Sequence, residues 1–155
     1  MKGKSAMKDV HKSKQSIRRE VTRAKATTVV HMYDAAVYDD PKEGPHLIKG
    51  HLEESFTGDI EGDGVVDTLQ AVDVSEGSSI FVGIERVKGK IGVETGSFLL
   101  QVAGTVERKI VSCDWFVIQG SGTGQLAGLR GEGGFRAELG KGGEAYLDYW
   151  IEKGS

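Results

Sequence analysis

The sequence predicts an all-β protein: a closed eight-stranded antiparallel barrel preceded by a flexible basic arm. Three observations lead there. From Ala26 onward, segments rich in β-branched and aromatic residues follow one another with strand-like alternation. The links between them are of hairpin length, and none could hold a crossover helix, which argues against a parallel α/β fold. Many of the 23 glycines fall inside the strand segments, where a small closed barrel needs sharp local bends.

The chain has 155 residues, enough for one domain with a real core. Residues 1–25 hold nine Lys or Arg against Asp9 and Glu20, a charge of +7, so the other 130 residues carry −10 of the net −3. The expected division is a basic arm over 1–25 and a barrel domain over 26–155. Val10, Ile17, Val21 and Ala24 have roughly helical spacing, so a short helix is the alternative to a solvated tail. No aromatic residue is interleaved with the arm's charges to stack on bases, and nucleic acid is not the expected partner.

The first strand is read at Ala26–Tyr33, "ATTVVHMY", followed by a long loop through "DAAVYDDPKEGPH", where both prolines lie. "LIKGHLEESFT" is the second strand, with Gly58 to Gly64 as its turn. "VVDTLQAVDV", "SIFVGIERV", "IGVETGSFLLQVAG" and "ERKIVSCDWFVIQ" are the next strands, separated by "SEG", "KGK" and "GTV". At "KGK", a Gly89-Lys90 turn would oppose Glu85 to Glu94, an unfavourable like-charge pair. A Lys88-Gly89 turn, opposing Glu85 to Gly92, is preferred. "GFRAEL" and "EAYLDYWI" close the set around "GKGG".

The glycine motifs match no phosphate-binding template in full. Gly140-Lys141 lacks the spacing and the following Ser or Thr of a P-loop. Gly122, Gly124 and Ala127 fit G-x-G-x-x-[GA], but Gly128, Gly131, Gly133 and Gly134 oppose the helix that must follow. The stretch "GSGTGQLAGLRGEGG" is therefore read as a crossover from the Trp115 strand back into the barrel at Phe135. "DIEGDGVVDTLQ" resembles a calcium loop, but Gln70 stands where the closing acid belongs, and an acidic hairpin turn is the better reading. His11, His31, His46 and His51 have no zinc spacing with Cys113, so no metal is expected. Cys113, the single cysteine, is read as a small wall residue in a protein of a reducing compartment.

Charged residues within apolar strand patterns are the candidate site. Glu54 shares a face with Leu52 and Phe56, and Glu85 with Phe81 and Val87. Gln101 shares one with Leu99, and Arg86 follows Ile80, Val82 and Ile84. A carboxylate turned into a barrel would have a raised pKa unless paired. Glu54 and Glu85 are the candidate catalytic acids or bases, and Arg86, Gln101, Trp115 and Tyr149 the candidate ligand contacts. A buried structural network is the competing reading.

"EESFTGDIEGDG", "SIFVGIERVKGKIGVETGSFLLQVAG", "WFVIQGSGTGQLAGLRGEGGF" and "AYLDYWI" resemble, in order and spacing, a bacterial domain family of unknown function. That family is grouped with the allene oxide cyclase-like and dirigent-like barrels. The resemblance covers roughly 26–151, although His31-Met32-Tyr33 replaces the first-strand tryptophan common in bacterial members. It implies an eight-stranded barrel with a largely apolar lumen, often oligomeric, that works without metal or organic cofactor. No catalytic motif of the plant cyclases transfers residue by residue.

The function expected is binding of an apolar or amphipathic small molecule in the lumen. A cofactor-free cyclase or isomerase is the alternative, with Glu54 or Glu85 as general acid/base and Gln101 or Tyr149 orienting the substrate. An interaction protein working through the arm is the third reading. A homo-oligomer in the cytoplasm is expected, without a secretory signal or membrane span.

Overall fold

A computed structural model describes residues 20–153. These fold into eight strands: β1 (Thr22–Asp39), β2 (His46–Gly58), β3 (Ile60–Asp73), β4 (Ser78–Ile91), β5 (Glu94–Glu107), β6 (Ile110–Val117), β7 (Leu129–Glu138) and β8 (Glu144–Ile151). Each is antiparallel to its neighbour in sequence. β8 closes the barrel on β1, from Thr22 opposite Tyr149 to Thr27 opposite Glu144. The one helical element among the described residues is a single 3₁₀ turn, Gly124–Leu126.

β1 begins at Thr22, four residues before Ala26, so Arg23 and Lys25 belong to the barrel wall. Ala24 is in this strand, which removes it from the helical pattern considered for the arm. The rest of that pattern, except Val21, lies outside the described residues. Arg23 faces outward, and its guanidinium donates to both carboxylate oxygens of Asp148 at 2.8 and 2.9 Å while lying 4.4 Å from the Tyr146 ring centroid. Together these contacts tie the closing seam from outside.

Four turns differ from the sequence reading, the last of them in the "DIEGDG" segment described below. The loop expected from Asp34 is strand as far as Asp39, because Asp34–Val37 pair with Ile48–His51 in a projecting hairpin. "KGK" is not a turn. β4 continues through it to Ile91, and Gly92-Val93 forms a two-residue hairpin closed by Ile91 opposite Glu94. Gly92 has φ +61°, the left-handed conformation that the first central position of a type II′ turn requires. Glu85 consequently pairs with Leu100 rather than with Gly92 or Glu94. The β5–β6 turn falls at Arg108-Lys109 rather than "GTV". Both residues have positive φ, +50° and +66°, a type I′ turn made without glycine.

The chain re-enters the barrel after the Gly-rich stretch at Leu129, not at Phe135. The loop between β6 and β7 lies along β5. Thr123 N–H donates to the Ser97 carbonyl at 2.9 Å, Ser97 N–H to Thr123 Oγ1 at 2.9 Å, and Leu99 N–H to Ser121 Oγ at 3.0 Å. Leu126 is thereby pushed into the core with no exposed surface. A three-residue turn has no helix N-terminus to hold a pyrophosphate, so the loop works as a plug.

In the "DIEGDG" segment, the turn expected over Gly58 to Gly64 is only Asp59, because Ile60–Gly64 already pair with β4 as the start of β3. The Asp59 carboxylate is occupied by Lys25 N–H at 2.9 Å, while Glu61 and Asp63 extend along β3.

Candidate functional site

Alternation places Leu52, Glu54 and Phe56 of β2 on the lumen face with Gly64 and Val66 of β3. Phe81, Glu85 and Val87 of β4 and Leu100 and Val102 of β5 continue that face, as do Cys113 and Trp115 of β6. Burial is graded along the strands. On β4, Phe81 is half-buried, Glu85 is 2% exposed and Ile91 is fully covered; on β2, Leu52 is half-buried and Phe56 is buried. The lower half is solid: packing among Phe56, Ile60, Val87, Phe98, Leu100, Trp115 and Leu147 leaves no room for a water molecule. Glu54 and Glu85 stand between this floor and the half-buried Leu52 and Phe81 above it.

Thr28, Glu54 and Glu85 are the buried polar or charged side chains among the described residues. Thr28 is satisfied: its Oγ1 accepts the Gly143 N–H at 3.1 Å. The glutamates are not balanced by any buried cation. Burial pushes both carboxyls above their ordinary value, Glu85 well above it, and a hydrogen bond with Glu54 adds to the rise at Glu85 while restraining it at Glu54. Two such groups cannot both ionise in an apolar wall, so they titrate as a pair that retains a proton. Glu85 Oε2 has no hydrogen-bond partner.

Gly64 makes this contact possible. It lies opposite Glu54 across the β2–β3 ladder. A Cβ there would stand 2.2 Å from Glu85 Oε2 and 2.9 Å from Phe56 Cε2. The missing side chain is the space through which Glu85 leans toward Glu54.

Across the lumen, Cys113 is 8% exposed, and burial pushes its thiol up to about 12, assisted by the negative fields of Glu85 and Asp114. It is a neutral wall residue at physiological pH. Trp115 is 5% exposed, lies tilted against Phe56 and stacked on Phe135, and donates its indole N–H to the Tyr146 carbonyl at 3.0 Å. Gly133 permits that bond, since a Cβ at this position would stand 2.0 Å from the same carbonyl oxygen. Trp115 thus offers a ligand an aromatic surface but no free donor.

The remaining candidates are dispersed. Arg86 and Gln101 alternate to the exposed outer wall, opposite in direction to Glu85 and Leu100. Tyr149 packs against the core at the plugged end, and burial, then the charges of Glu94 and Asp59, raise its pKa. Sequence reasoning missed Gly64 and a polar group nearer the mouth. There Gln70 Nε2 donates to Tyr33 Oη at 3.2 Å and to Thr68 Oγ1 at 3.0 Å. Tyr33 reaches this lumen-facing register because a bulge between Val30 and Met32 shifts the alternation of β1 by one residue.

A cavity of about 780 Å³ opens away from the pair, along β1, the end of β2 and β5 to β8, with no residue of β3 or β4 in its wall. Ala26, Gly104, Cys113, Phe135 and Ala145 bound it from within, and Arg23, Asp114, Arg136 and Tyr146 from the outer wall. That volume includes an outer groove and is an upper bound for the lumen itself. Glu54 and Glu85 do not line it.

Comparison with known proteins adds the deciding observation. A family described as "Protein of unknown function (DUF3224)" matches residues 24–149, from the first buried alanine of β1 to Tyr149 of β8. The chain belongs to the DUF3224 family. A DUF3224 protein of unknown function from Shewanella oneidensis MR-1, known from a crystal structure at 1.84 Å, is similar throughout the barrel. It is 27% identical with a TM-score of 0.74, covering 86% of this chain and all of that one. No curated protein matches the chain. Among the described residues, no group of three or more His, Cys, Asp or Glu side chains is arranged to hold a metal ion. No helix among them is long and apolar enough to cross a membrane. The DUF3224 barrel therefore presents its least ordinary chemistry at Glu54 and Glu85.

Proposed function

We propose that the barrel binds an apolar or amphipathic small molecule in its upper lumen, with the Glu54–Glu85 pair as the polar anchor. One observation carries this reading: two carboxyls share a buried site without a cation, directly above the solid floor and next to the half-buried Leu52 and Phe81. An unpaired buried carboxyl oxygen costs stability, and such a cost is commonly retained at binding and catalytic sites. Leu52, Phe81, Val102 and Phe135 supply the apolar wall. Kinship with the allene oxide cyclase-like and dirigent-like barrels, implied by the Gly-rich stretch, accords with such a cup.

The test is a melting-temperature screen with neutral hydrophobic compounds of graded size, together with solvent extraction of protein purified from cells. Ligand-dependent stabilisation or a co-purified hydrophobe is expected; a chain that yields neither would refute the reading.

The coupled pair also supports a second reading, a cofactor-free isomerase or cyclase in which one carboxyl donates and the other accepts a proton. Gln101 and Tyr149 stand away from the pair, so Tyr33 and Gln70 are the better candidates to orient a substrate. The Glu85→Gln variant would then remain folded and lose turnover.

We further propose that the molecule self-associates through its outer wall in the cytoplasm. Leu69, Ile80, Val82, Ile84 and Phe116 form adjacent outward positions, each 46–62% exposed. Asp67 and Arg86 flank Ile84 with opposite charges, which suits a two-fold contact between copies. Sedimentation velocity should show an oligomer that Val82→Glu disrupts. The third reading, contact of the basic arm 1–25 with anionic partners, is tested by salt-dependent binding with and without residues 1–19, which precede the barrel wall.

A further inference from the structure

Resting on the lumen-binding reading, we infer that the preferred ligand carries an amine: an apolar body ending in a single protonated nitrogen, received between Glu54 and Glu85. Four features of the site point there. The Lys and Arg side chains of the same strands, Lys49, Arg86, Lys88 and Lys90, all face outward and are exposed, so the pair has no counter-ion of its own. Among the described residues no Lys, Arg or His is buried. Glu85 Oε2 is covered from solvent yet accepts no hydrogen bond, which leaves an acceptor free for an incoming N–H. The surrounding wall is apolar on every strand that packs against the pair: Leu52 and Phe56 on β2, Val66 on β3, Val87 on β4 and Leu100 on β5. The titratable group facing it from β6, Cys113, is a neutral thiol.

Charge decides among ligand classes. A fatty acid anion would bring a second negative charge into a low-dielectric site that already keeps a proton to avoid one. A neutral alcohol could donate one hydrogen bond to Oε2 but would leave the shared proton in place. An ammonium group replaces that proton, allows both carboxylates to ionise and forms charge-assisted hydrogen bonds to them. The exchange balances: the cation enters, one proton leaves to solvent, and the charge of the occupied site is unchanged by the swap. Affinity should therefore rise with pH across the titration of the pair until the amine itself deprotonates.

The experiment compares octylamine, octanol and octanoate by isothermal titration calorimetry on the full chain, in two buffers of different ionisation enthalpy. Octylamine is expected to bind about tenfold more tightly than octanol or better, with release of close to one proton, and octanoate least of the three. The Glu54→Gln and Glu85→Gln variants, checked for folding by circular dichroism, should each weaken octylamine binding more than octanol binding and so reduce the amine preference. Equal binding of octanol and octylamine, amine binding without proton release, or a preference that survives both substitutions would overturn the amine assignment while leaving lumen binding intact. Failure of all three compounds to bind would overturn both.

Discussion

Glu85 occupies the place a side chain on Gly64 would take: a Cβ built there meets Glu85 Oε2 at 2.2 Å. The pairing of Glu85 with Glu54 is thus made by an absence on the neighbouring strand. Gly64→Ala keeps both carboxyls but forces either Glu85 or the buried Phe56 ring to shift. Overpacking of this kind costs about 1–3 kcal/mol, to be read as a lower denaturation midpoint in urea. An unchanged midpoint would mean that Glu85 does not rest against Gly64.

The pH dependence of stability carries the signature of the pair. Both carboxyls are raised above the ordinary 4.5, so the folded protein holds protons that the unfolded chain has released. The pair's stabilising contribution is complete below 4.5 and is lost as pH rises through the raised values. Thermal unfolding from mildly acidic to neutral pH should show this decline, and Glu85→Gln should flatten it. A slope identical in the variant would place the titration elsewhere.

Leu126 closes the lower end from a loop rather than a strand, fully buried against β5. Its truncation to Ala leaves a cavity that the hydrogen-bonded loop cannot easily collapse. A loss of about 2–5 kcal/mol is expected in chemical denaturation. A loss near zero would show that the loop is dispensable to the floor.

The Arg108-Lys109 turn holds two non-glycine residues at positive φ. Replacing them by Asn-Gly, the pair such turns favour, should stabilise the barrel by about 1 kcal/mol, measured as a raised melting temperature. A decrease would mean that Arg108 or Lys109 makes contacts that outweigh the backbone strain.

The barrel was legible because strand alternation and short links are local properties, written in consecutive residues. Turn positions were less so. "KGK" carries a glycine but continues as strand, since pairing Glu85 with Leu100 and Ile91 with Glu94 aligns the apolar faces of β4 and β5. Arg108-Lys109 carries no turn residue at all, and its neighbours decide the bend. Glu54 and Glu85 stood out as charges within apolar alternation, and parity alone turned them inward together. Gly64, Tyr33 and Gln70 could not be found that way. Gly64 matters through a cross-strand contact, and Tyr33 reaches its register only through the β1 bulge.

The seam between β1 and β8 has a kinetic consequence. The other seven ladders join strands adjacent in sequence, all but β6–β7 across short connections, whereas Thr22 meets Tyr149 across nearly the whole described chain. Closing a loop of that length has a large entropic cost, which the hairpins need not meet. A curved open sheet is the natural precursor, and the step that joins its two edges gates the native state. The bidentate Arg23–Asp148 contact is formed only at that step, so weakening it should speed unfolding while leaving the refolding rate of the hairpins nearly untouched.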